Sequence, residues 1–266
     1  MAEYSEVPAG LADVQAGSDK RNVRIDKVGV KNITYPITVK DRSKEAQNTI
    51  GTVNMYVDLP HNFKGTHMSR FLEVLNEHNG GISVDRVPEI LKEMRGRLEA
   101  ETAHFAVTFP YFMEKKAPIS GSAGMMAYNC GFEATSGKEE DFVLTVVVPI
   151  ATLCPCSKEI SDRGAHNQRG DVEVKVRFDG ELWIEELVEV VEEAASCDLY
   201  PVLKREDEKF VTEKAFDNPR FVEDIVREVA LILRKDSRIK WFHVEVENFE
   251  SIHSHNAYAL VEEICG

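Results

Sequence analysis

Between Thr49 and Leu59 the sequence TIGTVNMYVDL sets Val53, Met55, Val57 and Leu59 on one face and Thr52, Asn54, Tyr56 and Asp58 on the other. This is the period of two of a half-buried strand. An earlier extended stretch runs through Val23 to Val39. The period then changes. Met68, Phe71, Leu72 and Leu75 recur at helical spacing after Thr66, which reads as an N-cap, and the segment stops at Asn79-Gly80-Gly81. A second helix carries Val87, Ile90, Leu91, Met94 and Leu98, with Pro88 tolerated because the first turn needs no backbone donor. Strands over Ala103 to Phe112 and Gly124 to Ala134 follow.

The second half repeats the order. Strands are predicted at Asp141 to Ile150 and Asp171 to Phe178, then a helix through Ile184, Leu187, Val188, Val191 and Ala195 whose acidic face is solvated. A further helix opens at Asn218-Pro219 and runs through Phe221, Ile225, Val229 and Ile232, before strands at Ile239 to Phe249 and Asn256 to Glu263. Strand-strand-helix-helix-strand-strand therefore occurs twice, with a boundary near residue 137 in SGKEED. The pattern predicts an α+β fold built as a tandem duplication: a polar, aperiodic, mobile arm over 1–22, a first module over 23–136 and a second over 137–266. In each module an antiparallel sheet carries both helices on one face.

Composition narrows the function more than the fold. The chain has 266 residues, 43% of them hydrophobic and 29% charged, which excludes an intrinsically disordered protein. With 32 basic and 46 acidic residues the net charge is −14, so the surface as a whole repels nucleic acid, and a polyanionic ligand needs a locally basic pocket. No run of about 18–20 apolar residues is present to span a membrane. The amino terminus lacks a basic stretch followed by an apolar one, and a cytoplasmic protein is expected. Five cysteines (Cys130, Cys154, Cys156, Cys197, Cys265) are too few for a disulfide scaffold and odd in number, which predicts reduced thiols.

Three segments stand out chemically. Thr152 to Gly170, TLCPCSKEISDRGAHNQRG, reads as a loop of about twenty residues, longer than connections usually are. Within it Cys154 and Cys156 flank Pro155, near Lys158, Arg163 and His166. A four-thiolate zinc site cannot be built, because no second cysteine pair exists. A site with three protein ligands and an open position remains open, as does a loop whose thiols simply pack. Leu203 to Lys214, LKREDEKFVTEK, reads as an exposed charged connector that could supply a carboxylate ligand. The third is EVENFESIHSHNAYALV, where His253 and His255 share a face if extended, with Glu247 and Glu250 upstream. Glu223, near the start of its helix, either points into solvent or offers two acceptors to a planar ligand. His61, His67, His78, His104 and His243 read as structural, with His67 beside Arg70 a weaker phosphate-site candidate.

Taken in order, GTHMSRF, the KAPISG run, LCPCSKEIS, GAHNQRG, LKREDEKFVTEKA, NPRFVED and ENFESIHSHNAYA closely resemble the type IB GTP cyclohydrolases, over nearly all of residues 20–264. The resemblance implies the tunnelling fold, whose unit is a four-stranded antiparallel sheet with two helices between its second and third strands, in tandem modules that assemble into a barrel-like homo-oligomer. It also implies hydrolysis of GTP to 7,8-dihydroneopterin triphosphate and formate, the first step of folate synthesis. The family's metal ligands fall on Cys154, His166 and Glu208, and the acid that anchors guanine on Glu223. Cys156, Glu250 and His253 match residues around the reacting carbon, with His255 close by.

The implied cofactor is one divalent ion per site, Zn²⁺, Mn²⁺ or Fe²⁺, and the implied assembly a homotetramer with active sites between subunits. For the triphosphate, Lys158, Arg169, Lys204 and Arg205 are expected to converge, with Arg70 from a neighbour. Two other readings are weighed against this one. One is the related nitrile reductase of queuosine synthesis, whose NADPH motif nothing here resembles; the other is a metal-stabilised purine-binding module without turnover.

Overall fold

A computed structural model of the chain describes residues 13–15, 17–78 and 86–265. Its first half is β1 (Ile25–Asp41), β2 (Glu45–Leu59), α1 (Met68–Glu77), α2 (Val87–Leu98), β3 (Ala103–Lys116) and β4 (Ala123–Ser136). The second is β5 (Asp141–Leu153), α3 (Pro155–Ile160), β6 (Asn167–Phe178), α4 (Ile184–Ala194), α5 (Arg205–Asp217), α6 (Val222–Lys235), β7 (Ile239–Asn248) and β8 (Ala257–Ile264). The eight strands lie side by side in chain order, every neighbouring pair antiparallel. The fold is α+β. Across the predicted boundary, Thr135 of β4 faces Asp141 of β5, so the two halves share one sheet.

Alternation along each strand decides which face is covered. Val53, Met55 and Val57 of β2 and Val172, Val174 and Val176 of β6 are fully buried. They join Phe71, Ile90 and Met94 of the first helices, and Val188, Val191, Ile225 and Val229 of α4 and α6, in one continuous core. Burial of each such side chain contributes roughly 1.5–3 kcal/mol against the entropy of ordering the chain. The helices of both halves thus cover the same face, and the alternate positions form an uncovered polar face.

Helices α4, α5 and α6 each begin with a carboxylate three residues into the helix that accepts the N–H before it. These bonds are Trp183 N to Glu186 (2.8 Å), Lys204 N to Asp207 (2.9 Å) and Phe221 N to Asp224 (2.9 Å).

Several expected boundaries shift. His67, not Thr66, precedes α1, and Asn79-Gly80-Gly81 lie outside the described residues. Asn218 does not cap α6. It ends α5, donating its side-chain amide to Ala195 O at 2.9 Å, and Phe221 takes the capping position. The expected charged connector over 203–214 is mostly helix, α5, which periodicity could not reveal because only Asp207 and Ala215 on it are buried. The long loop after β5 is mostly structured too: α3 begins at Pro155, and β6 starts at Asn167, four residues before the strand expected from Asp171. Of the expected amino-terminal arm, residues 1–12 and 16 lie outside the described residues. Nearby, Ser18 bridges to Phe63 and Gln15 donates to Thr66 O at 3.1 Å. No helix among the described residues is long and apolar enough to cross a membrane.

Candidate active site

The site begins where the β5–β6 hairpin ends. Leu153 and Asn167 are its last paired residues, and the next step closes with Cys154 N donating to His166 O at 3.1 Å. Cys154 therefore caps α3, its Sγ accepting from Ser157 N at 3.4 Å, and lies directly across from His166. Pro155 at the first helical position fixes the turn. His166 N donates to Ser157 Oγ at 3.2 Å, so α3 holds both residues from below.

The imidazole is oriented from its far side. Gln168, two residues along and on the same strand face, donates to Thr152 Oγ1 at 2.8 Å and turns its carbonyl to His166 Nδ1 at 2.9 Å. With the Gln168 carbonyl as acceptor the proton sits on Nδ1 and Nε2 keeps its lone pair, the tautomer of a ligating histidine. Removing the carbonyl with Gln168→Leu is expected to weaken divalent-metal affinity about 10–100-fold, read by chelator competition; unchanged affinity would show that the tautomer does not matter.

Glu250 completes this cluster. Gly170 lets β7 pass close, because a Cβ there would sit 2.4 Å from Asn248 Oδ1 and 2.7 Å from Glu247 O. Just beyond the strand, Phe249 N donates to Arg169 O at 2.8 Å, and Glu250 Oε2 comes 3.8 Å from His166 Nδ1. This distance is too long for a hydrogen bond, and Glu250 Oε2 is buried without one. A buried carboxylate oxygen lacking a donor beside the His166 ring fits a site that receives a proton-bearing ligand, although Cys154, His166 and Glu250 do not bring three donor atoms within 4.8 Å of one another.

A cleft of about 760 Å³ adjoins the cluster, lined by Thr152, Gln168 and Arg169 on one side and by Val211, Thr212 and Ala215 of α5 on the other. Glu208 stands one turn before Thr212 on that same helical face. It is exposed and does not touch Cys154 or His166 within the chain. Glu223 is exposed in the first turn of α6; the chain reaches it from the site, since Arg220 N donates to Leu153 O at 3.1 Å.

Cys156, His253 and His255 are exposed nearby in sequence, and the two histidine rings stack 5.1 Å apart. The basic candidates are more scattered. Arg169 lines the cleft, and Lys204 and Arg205 are exposed at the start of α5. Lys158 is engaged otherwise: its ammonium donates to Phe216 O and sits 4.4 Å from the Phe216 ring centre. Arg70 is in the first half, donating to Arg97 O at 2.9 Å beside a separate cavity of about 90 Å³. Burial pushes the Cys130 and Cys197 thiols up, which leaves both inert at neutral pH.

A second group of donors lies on the opposite face. Glu173, His243 and Glu245 bring three donor atoms within 4.8 Å of one another. Glu173 and His166 differ by an odd number in the same strand region, so the uncovered polar face carries this group and the helix-covered face carries Cys154 and His166. Here the charges already have partners. Lys175 pairs with Glu173 at 2.5 Å, and Tyr258 donates to Glu245 at 2.9 Å. His243, read as structural from sequence, belongs to this network.

Gln168, Thr152, Ser157 and Arg220 were not singled out from sequence. Only the His-x-Gln spacing of GAHNQRG could have drawn attention to Gln168, once that segment was known to be strand.

Comparison with known proteins shows the family and the fold of the chain. A family model described as type I GTP cyclohydrolase folE2 matches residues 11–259. The GTP cyclohydrolase FolE2 of Magnetococcus marinus is 59% identical over 95% of this chain and 96% of its own. That of Syntrophotalea carbinolica is 56% identical over 95% of both. Among solved structures, a uricase from Bacillus fastidious superposes with a TM-score of 0.53 at 8% identity, over 92% of this chain and 94% of its own, which shows a shared fold.

Proposed function

This chain belongs to the type I GTP cyclohydrolase FolE2 family, and from that membership we propose that it is a type IB enzyme converting GTP and water to 7,8-dihydroneopterin triphosphate and formate, the first step of tetrahydrofolate synthesis. The observation that carries the reading is the pairing of Cys154 with an imidazole whose Nδ1 is held by Gln168. A nitrile reductase would have no use for a histidine presented in this way, and the family match does not point there.

Cys154, His166 and Glu208 would hold one divalent cation, Zn²⁺, Mn²⁺ or Fe²⁺ by the softness of the set. Bound there, the ion would supply Lewis-acid activation of water at neutral pH. Glu223 accepts from the N1–H and 2-amino group of guanine, holding C8 toward the cluster. As the imidazole ring opens, a ring nitrogen needs a proton. His253 delivers it, with Glu250 as the neighbouring acceptor and Cys156 and His255 beside it. Arg169, Lys204 and Arg205 meet the triphosphate, with Arg70 from a neighbouring subunit, and Lys158 joins them on leaving Phe216 O.

The assembly is a homotetramer of tandem tunnelling-fold modules closed into a barrel, with sites between subunits, in the cytoplasm. Exposure supports this arrangement. Glu208, Glu223, His253 and His255 are solvent-facing within one chain, and so are Phe210, Phe221, Phe249 and Ile252 around them. Exposed large apolar side chains of this kind are what a surface covered by another subunit would carry.

The test is formate release together with a fluorescent pterin from GTP, after chelation and metal re-addition. Glu250→Gln and His253→Ala are each expected to lower kcat about 10²–10⁴-fold while GTP still binds. A protein that binds GTP but releases no formate with any metal is the purine-binding module instead.

A further inference from the structure

The KAPISG run lies far along the chain from every residue assigned so far, yet the structure gives it a task. It forms the turn between β3 and β4, closed by Ala117 N donating to Ser122 O at 2.9 Å and Gly121 N donating to Ala117 O at 3.1 Å. Gly121 is left-handed there, with φ at 68°, a conformation that costs glycine little. With the turn in this shape, the N–H groups of Ile119 and Ser120 point the same way.

Both N–H groups meet Asp207. Its Oδ1 accepts from Ile119 N and Ser120 N, each at 2.9 Å, and its Oδ2 accepts from Ser120 Oγ at 2.6 Å and Lys204 N at 2.9 Å. Asp207 is fully buried. Four donors from two distant segments converge on one carboxylate, and the residue that follows it is Glu208. The far end of α5 is tied down as well, by Lys214 donating to Asp198 at 2.9 Å.

We infer that Asp207 is a positioning residue: it pins the first turn of α5 to the 117–122 turn and so sets where Glu208 stands along the cleft. The inference rests on Glu208 being a metal ligand, as proposed above. A helix needs only the Lys204 N–H satisfied at this position, and an exposed acid would do that. The other three bonds join α5 to a hairpin of the first half, and this is what an N-cap alone leaves unexplained. The same pairing accounts for why KAPISG belongs to the resemblance although it offers no catalytic group.

The experiment is a double-mutant cycle on Zn²⁺ affinity, measured on the metal-stripped full-length protein by competition with a chromophoric chelator. Asp207→Asn keeps one acceptor oxygen for four donors, so the turn must shift. Ser120→Ala removes one of the four bonds to Asp207, together with two bonds to Ser122 inside the turn, and serves if the first variant folds poorly. Glu208→Gln is expected to weaken Zn²⁺ binding at least 10-fold. Asp207→Asn should weaken it about 10–100-fold, and Ser120→Ala less, in the same direction. Once Glu208 is already Gln, adding Asp207→Asn or Ser120→Ala should change affinity by less than about twofold, because the effect travels through Glu208.

If Glu208→Gln weakens binding while both other variants leave it unchanged, or if their effects multiply with it in full, Asp207 is only a structural anchor and the inference fails. Unchanged affinity in Glu208→Gln would instead overturn Glu208 as a ligand. The two failures are thus told apart.

Discussion

Cys154→Ser is expected to lose GTP turnover and tight metal binding while keeping its fold. Serine is a good N-cap, so the bond from Ser157 N that Cys154 Sγ accepts is replaced by an equivalent one, and α3 keeps its start. What disappears is the thiolate, the soft donor of the proposed ligand set. Loss of a group that merely orients a ligand already costs about 10–100-fold, so loss of the ligand should lower affinity and kcat by more than about 100-fold. Thermal unfolding of the metal-stripped variant should match that of the metal-stripped parent. His166→Ala should resemble it in activity. A Cys154→Ser protein with parental zinc content and formate release would remove the foundation of the proposed site.

The largest expected effect on stability lies beneath the cleft. Lys115 of β3 reaches Glu192 of α4 at 2.5 Å and Asp198 at 3.4 Å, and its ammonium stands 4.7 Å from the Tyr200 ring centre. Tyr128 of β4 donates to Glu192 at 2.9 Å, and Lys214 of α5 completes the chain at Asp198. The Lys115 and Glu192 side chains are only 13% and 12% exposed. Lys115→Met would leave Glu192 buried with one hydroxyl for company, at a cost of about 3–5 kcal/mol. Adding Glu192→Gln should recover much of that loss.

The pH dependence has a definite sign. Burial pushes the Glu192 carboxyl up, although Lys115 and Tyr128 pull against it. Without Lys115 it rises further. A group whose pKa is raised on folding favours the folded state below its unfolded pKa and loses that contribution as pH rises through the folded value. The Lys115→Met penalty should therefore shrink on going from pH 8 toward pH 5. Asp198 behaves oppositely: burial raises it, but Lys214 and Lys115 outweigh this and hold it below the usual carboxylate range, so its contribution is lost only in stronger acid. Urea midpoints across this range check both; a variant with parental stability at neutral pH would mean the network contributes little.

The fold was legible wherever one face of an element meets the core. Val53, Met55 and Val57 alternate because β2 is buried on one side only, and α6 shows its period because Ile225, Val226, Val229 and Leu233 all face inward. Helix α5 escaped notice for the converse reason. It is anchored by Asp207 and Lys214 rather than by an apolar stripe, and a hydrogen-bonded anchor leaves no period in the sequence.

The site was legible as residue types, and its geometry only in part. Cys154 and His166 are brought together by the register of β5 and β6, and Glu250 by the end of β7. Glu208, Glu223, His253 and His255 are exposed in a single chain, so the fold of one chain does not by itself tie them to Cys154 and His166. Gln168 was invisible until the segment containing it proved to be strand.

The most direct measurement is anomalous diffraction at the metal edge from crystals of the assembled, zinc-loaded protein. The account predicts one strong peak per subunit about 2.3 Å from Cys154 Sγ and about 2.0–2.1 Å from His166 Nε2, with a Glu208 carboxylate oxygen completing the protein ligands. A peak at Glu173, His243 and Glu245 on the polar face, with none beside Cys154, would contradict it.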